Sequence, residues 1–143
     1  MVLMKRYIIF VIVSIVLIAL VVLETNRLGI ASGKPFFLYR AETAAQKAQG
    51  LSKQGQICPS CSLLFDYEHP QDIKIWMKGM RYPLDIIWLD ENKKIIHIEQ
   101  NVQPDSYPKT FSSARPAKYV LEFNAGFLSS RNMKEGQSVW FWN

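Results

Sequence analysis

Residues 7–23 form an unbroken apolar run of 17 residues in which Ser14 is the one polar side chain. Lys5 and Arg6 precede the run, and every acidic residue of the chain follows it. As a helix it would extend about 25 Å, slightly short of a hydrocarbon core of about 30 Å, and residues 1–4 can lengthen it. It has no polar face and so makes a poor amphipathic core helix. Two readings stay open. A cleaved signal peptide ordinarily has an apolar core of about 7–15 residues and a small-x-small site close behind it. Here Glu24-Thr25-Asn26-Arg27 follows the run, and Ala31-Ser32-Gly33 is the nearest candidate site. The expectation is therefore a retained signal anchor over residues 1–23, a single-pass transmembrane helix in the lipid bilayer of the cell membrane. Lys5, Arg6 and the α-amino group favour a cytoplasmic N-terminus, although Arg27, Lys34 and Arg40 reduce the asymmetry. This orientation places the C-terminal domain outside the cytoplasm.

Charge narrows the partners. Of the 17 basic and 12 acidic residues, Lys5 and Arg6 belong to the apolar segment, so the rest of the chain holds 15 basic against 12 acidic residues and a net charge of +3. The basic residues are scattered, which points away from nucleic acid. The remaining 120 residues suffice for one domain with its own core.

Residues 24–34, with Gly29 and Gly33, read as a linker. Residues 35–143 read as a single β-rich domain. Residues 35–40 read as a strand, and residues 41–51, rich in Ala, Gln, Glu and Lys, as a helix stopped by Gly50. Residues 52–62 form a loop holding both cysteines, and residues 63–67 read as a strand. Ile73, Ile75 and Met77 alternate with Lys74, Trp76 and Lys78, the period of a strand buried on one face. Residues 84–89 and 95–98 flank the turn Asp90-Glu91-Asn92-Lys93 and read as a hairpin. Residues 103–116 contain three prolines and read as a loop, residues 119–124 as a strand, 125–133 as a short helix and 137–142 as a last strand. Helix near the ends and strand in the middle predict a mainly β fold. The expected architecture is an antiparallel sandwich or partly closed barrel with one or two short helices, not alternating βαβ units.

The chain also carries a linked series of motifs: Gly50-Leu51, Leu64-Phe65, Trp76-Met77-Lys78, Pro83-Leu84-Asp85-Ile86-Ile87, Val120-Leu121-Glu122, Ala125-Gly126 and Gly136. In this order and spacing, over about 100 residues, it resembles the family catalogued as domain of unknown function 192. It departs from that family's usual pattern at Ser52, at Ser62-Leu63, at Gly79-Met80 and at Gln137. The resemblance implies a compact β fold with small helices, often exported or membrane-attached. It implies no activity, cofactor or catalytic residue.

Cys58-Pro59-Ser60-Cys61 is the sharpest chemical motif. In an oxidising compartment it suits a local disulfide, and the resembled family does not usually carry cysteines in this loop, which favours a staple. A thiol–disulfide oxidoreductase would place the pair between a strand and a helix, which Ser62-Leu63-Leu64-Phe65 could begin. A zinc site would add His69 and His97, but these stand 28 positions apart, and no metal is expected. Asp85 interrupts an apolar run and so needs a partner, with Lys78 and Arg81 just upstream, or backbone amides. Trp76 shares a strand face with Lys74 and Lys78, so a ligand site built from Trp76, Lys78, Asp85 and Glu122 is one expectation. Asp85 and Glu122 as paired carboxylates could also serve glycan cleavage. The sequence lacks a phosphate-binding glycine loop, a nucleophile elbow and a zincin motif, so no cofactor is expected. The leading reading is a non-enzymatic, membrane-tethered domain that binds an envelope glycan, protein or small ligand. The alternative is an envelope oxidoreductase using Cys58 and Cys61.

Overall fold

The computed structural model of the chain describes residues 2–24 and 27–142, with no side chains described at residues 2–4, 19 and 21–24. Met1, Thr25 and Asn26, in the expected anchor and linker, and Asn143 lie outside the described residues. The backbone of Val2–Glu24 is one helix, α1, of 23 residues. Its described side chains run unbroken only over residues 5–18, and within the described residues no helix is long and apolar enough to cross a membrane.

The strands are β1 (Leu28–Ala31), β2 (Lys34–Ala41), β3 (Cys61–Gln71), β4 (Ile75–Trp76), β5 (Leu84–Leu89), β6 (Ile95–Val102), β7 (Thr110–Phe111), β8 (Ala117–Asn124) and β9 (Val139–Phe141). Two short helices accompany them, α2 (Ala44–Gln49) and α3 (Phe127–Ser130). Seven strands make one sheet in the order β6-β5-β8-β3-β2-β1-β9, and β4 pairs with β7 apart from it. The fold is mainly β, a curled half-barrel sheet with few short helices. Its two edges meet at one end: Lys94 bridges Ser138, the Ile95 N–H donates to the Gln137 carbonyl at 2.8 Å, and the Val139 N–H donates to that of Lys93 at 3.0 Å.

Of the two architectures expected, the partly closed barrel is the one observed, because one large sheet curls on itself. One expectation needs correction: the sheet is not wholly antiparallel, because β2 pairs with β3 in parallel, Phe37 opposite Cys61 through Ala41 opposite Phe65. A parallel pair needs a long crossover, and residues 42–60 supply it with α2 and the cysteine loop. The stretch expected to be a linker also contributes: Leu28–Ala31 is strand β1, paired with both β2 and β9.

Both faces of the central strands are covered, which is why residues 84–89 read as a continuous apolar run. One face packs Leu63, Phe65, Ile86, Trp88 and Val120 beneath the crossover and the β4–β7 pair. The other packs Leu64, Ile87, Tyr119, Leu121 and Phe123 inside the curl, with Phe127 and Leu128 of α3. The expected strand over residues 73–78 is regular only at Ile75–Trp76, yet its alternation holds: Ile73, Ile75 and Met77 are buried while Lys74, Trp76 and Lys78 are exposed.

Candidate functional site

Alternation along β8 sends Leu121 and Phe123 into the curl and turns Glu122 toward the crossover, opposite Ile86. The crossover is shaped by local chemistry. Thr43 and Gln46 form a capping box at the start of α2: the Gln46 N–H donates to Thr43 Oγ1 at 3.1 Å, and the Thr43 N–H donates to Gln46 Oε1 at 2.9 Å. Gly50, at φ +53°, ends the helix. The next residue, Leu51, is buried, and its amide donates to the Glu122 carboxyl.

Glu122 is 4 % exposed, and its second oxygen, Oε2, is buried with no partner among the described residues. Burial pushes the carboxyl up to about 8, with the Leu51 amide pulling the other way. At neutral pH the group is therefore mostly a neutral acid that can donate a hydrogen bond. Tyr67 and Tyr82 are raised too, first by burial and then by the Glu122 charge.

Glu122 borders an open cavity of about 260 Å³ between α2, β3 and β4. Trp76, 41 % exposed, lines it with Tyr67, Met80 and Ile75. Lys47, Lys74 and Lys78 bring positive charge to the same cavity. Lys47 donates to the Asp66 carbonyl and stands 4.3 Å from the centre of the Tyr67 ring. Lys78 stands 6.0 Å from that of Tyr107, and Lys74 pairs with Asp72 at 3.6 Å. The cavity thus offers an aromatic wall, a cationic rim and one buried acid.

Of the residues expected to form the site, the structure gathers Trp76, Lys78 and Glu122 and leaves Asp85 apart. Asp85 pairs with Phe123, not Glu122, so the two carboxylates point to opposite faces of the sheet and share no substrate position. Nor does Asp85 pair with Lys78 or Arg81. Its Oδ1 accepts the Asn101 N–H and its Oδ2 the Leu128 N–H, each at 2.9 Å, tying β6 and the first turn of α3 to β5. The lining residues missed include Lys47, Gly50, Leu51 and Tyr67. Gly50-Leu51 stood out in the sequence as a motif, but only the crossover shows that it faces Glu122.

Cys58 and Cys61 are bridged, with sulfurs 1.92 Å apart. Residues 62–65 continue from Cys61 as strand, not as the helix that a thioredoxin-like site would need. His69 sits beside Glu68, and His97 beside Glu99 and Glu135. Among the described residues no group of three His, Cys, Asp or Glu side chains could hold a metal ion. Trp88 is core, its indole N–H donating to the Ile73 carbonyl at 3.0 Å, whereas Trp140 and Trp142 are exposed.

Two crystal structures share this architecture. One is a protein of Sinorhizobium meliloti 1021, provisionally described as a transcription regulator, with 30 % identity and a TM-score of 0.73 over 80 % of this chain and 90 % of that one. The other is a protein of unknown function from Novosphingobium aromaticivorans DSM 12444, with 28 % identity and a TM-score of 0.72 over 80 % of this chain and 81 % of that one. No curated protein matches the chain. Residues 27–141 match the family described as "Uncharacterized ACR", domain of unknown function 192, and the chain belongs to that family.

Proposed function

We propose that this protein is a membrane-tethered, extracytoplasmic binding domain that takes a small, ring-shaped, anionic ligand in the cavity beneath α2. The observation that carries the proposal is Glu122 Oε2, buried and unpartnered at the cavity wall. Oε2 is covered in this fold, so the cavity wall beside Gly50 opens slightly for a ligand hydroxyl to reach it. Leaving a polar atom buried without a partner costs about 1–3 kcal/mol, which that contact would recover. Trp76 offers a half-exposed face for a ring to stack on, and Lys47, Lys74 and Lys78 favour a negative substituent. An acidic sugar of an envelope glycan combines all three features.

The tether is α1. Its apolar run, residues 7–23, would extend about 25 Å, slightly short of a hydrocarbon core of about 30 Å, and Lys5 and Arg6 before it favour the cytoplasmic side. The description of the Sinorhizobium relative is not extended to this chain, whose charge beyond residue 23 is close to balance.

The test is titration of the purified full-length chain in detergent with glucuronate and with glucose, read by tryptophan fluorescence and by melting temperature. Glucuronate should bind and glucose bind more weakly. Trp76→Ala and Glu122→Gln should each weaken glucuronate binding at least about tenfold, or about 1.4 kcal/mol, with circular dichroism unchanged. A chain that responds to neither sugar would remove the acidic-sugar assignment. An undiminished response in Trp76→Ala would move the site elsewhere.

A further inference from the structure

We infer that the outer face of β9, β1 and β2 lies on the membrane surface beside α1. The inference rests on the tethered reading above and on a separate set of residues. Ile30, Phe37, Tyr39, Trp140 and Trp142 are 38, 56, 46, 44 and 47 % exposed. Ile30, Phe37, Tyr39 and Trp140 alternate with buried Ala31, Phe36, Leu38, Val139 and Phe141, so these four project from one side of the sheet, and Trp142 follows just beyond β9. They also adjoin: Trp140 stands opposite Ile30, and the rings of Trp140 and Trp142 are 4.8 Å apart. A contiguous exposed apolar face of this kind marks an interaction surface.

Three observations assign it to lipid. First, the tether is short. Helix α1 ends at Glu24 and β1 begins at Leu28, a reach of about 14 Å at full extension. Second, Leu28, the first residue of β1, stands opposite Phe37 of this face, so the tether joins the sheet beside it. Third, the charge fits. Strands β1, β2 and β9 contain no acidic residue to repel an anionic headgroup. Tryptophan and tyrosine concentrate at the headgroup layer.

All four tryptophans lie after residue 75 and none in α1, so tryptophan emission reports on the domain alone. The full-length chain would be reconstituted in vesicles of phosphatidylcholine and phosphatidylglycerol with plain or brominated acyl chains. Brominated lipid should quench the wild-type emission. The double variant Trp140→Phe/Trp142→Phe should lose most of that quenching, and Trp76→Phe should keep it. A chain that sediments with vesicles but shows no quenching, or equal quenching in the double variant, would overturn the docked face while leaving the tether intact. Shielding of Trp140 and Trp142 that follows protein density and ignores bromination would assign the face to a second copy and overturn the inference. A chain that does not sediment with vesicles would remove the tethered reading and this inference with it.

Discussion

Gly50 lies directly over the carboxyl of Glu122: a β-carbon on Gly50 would stand 3.2 Å from Oε2 and 3.5 Å from Oε1. The position also has φ +53°, which L side chains rarely adopt. Two constraints therefore act on one residue. Gly50→Ala should lower stability by about 1–3 kcal/mol through backbone strain. It should also crowd the acid and weaken glucuronate binding. Chemical denaturation and the fluorescence titration check the two effects separately, and a variant of wild-type stability would show that the backbone at Gly50 relaxes without cost.

Glu122 makes stability fall as pH rises. Its carboxyl has an ordinary value of 4.5 and is raised to about 8 in the folded chain. Between those values the folded state holds a proton that the unfolded state has released. The stabilisation is complete below the lower value and is lost progressively up to the higher one, at a slope of up to about 1.4 kcal/mol per pH unit. Glu122→Gln keeps an acceptor for the Leu51 amide and removes the titration. The variant should match the wild type near pH 4.5 and exceed it at pH 8, as read from denaturant midpoints across that range. Parallel pH profiles for the two proteins would mean that Glu122 is ionised in the fold at all these values.

Asp85 should prove structural. Its carboxylate accepts two backbone amides, from Asn101 and Leu128, and Asn101 has φ +53°. Asp85→Ala would leave both amides without that acceptor in a buried setting, at a cost of about 3 kcal/mol or more. The expected signature is a lower melting temperature with unchanged glucuronate affinity measured below the transition. Loss of affinity at full stability would return Asp85 to the ligand site.

The sequence shows the strands well where apolar residues alternate or run on, as at residues 84–89 and 119–124, because each pattern follows from which faces are buried. It also names Trp76, Lys78 and Glu122, which the fold brings to the wall of one cavity. It does not place Asp85, because adjacent positions on paired strands face opposite sides and only the register of β5 against β8 decides the side. Nor does it show β1. Leu28-Gly29-Ile30-Ala31 is short and glycine-bearing, and it is a strand because β2 and β9 flank it. Gly29 is needed there for close approach, since a β-carbon would fall 2.3 Å from Cζ of Phe36. The parallel β2–β3 pair is likewise a property of the crossover and leaves no periodic mark on either strand.

The Cys58–Cys61 bridge should be a modest staple. The cysteines are three positions apart, and a loop this small removes little chain entropy, about 2 kcal/mol at room temperature. Cys61 opens β3 opposite Phe37, and the bridge fixes the end of the crossover just before the parallel pair. Glu122, Trp76 and Lys78 reach the cavity from other strands and from the β4 segment. Reduction, or Cys58→Ser with Cys61→Ser, should therefore shift the denaturant midpoint by no more than that amount and leave glucuronate binding unchanged. An insulin-reduction assay separates this role from redox chemistry. Turnover by the wild type above the level of the double serine variant would show that the pair exchanges electrons with substrates and is not merely a staple.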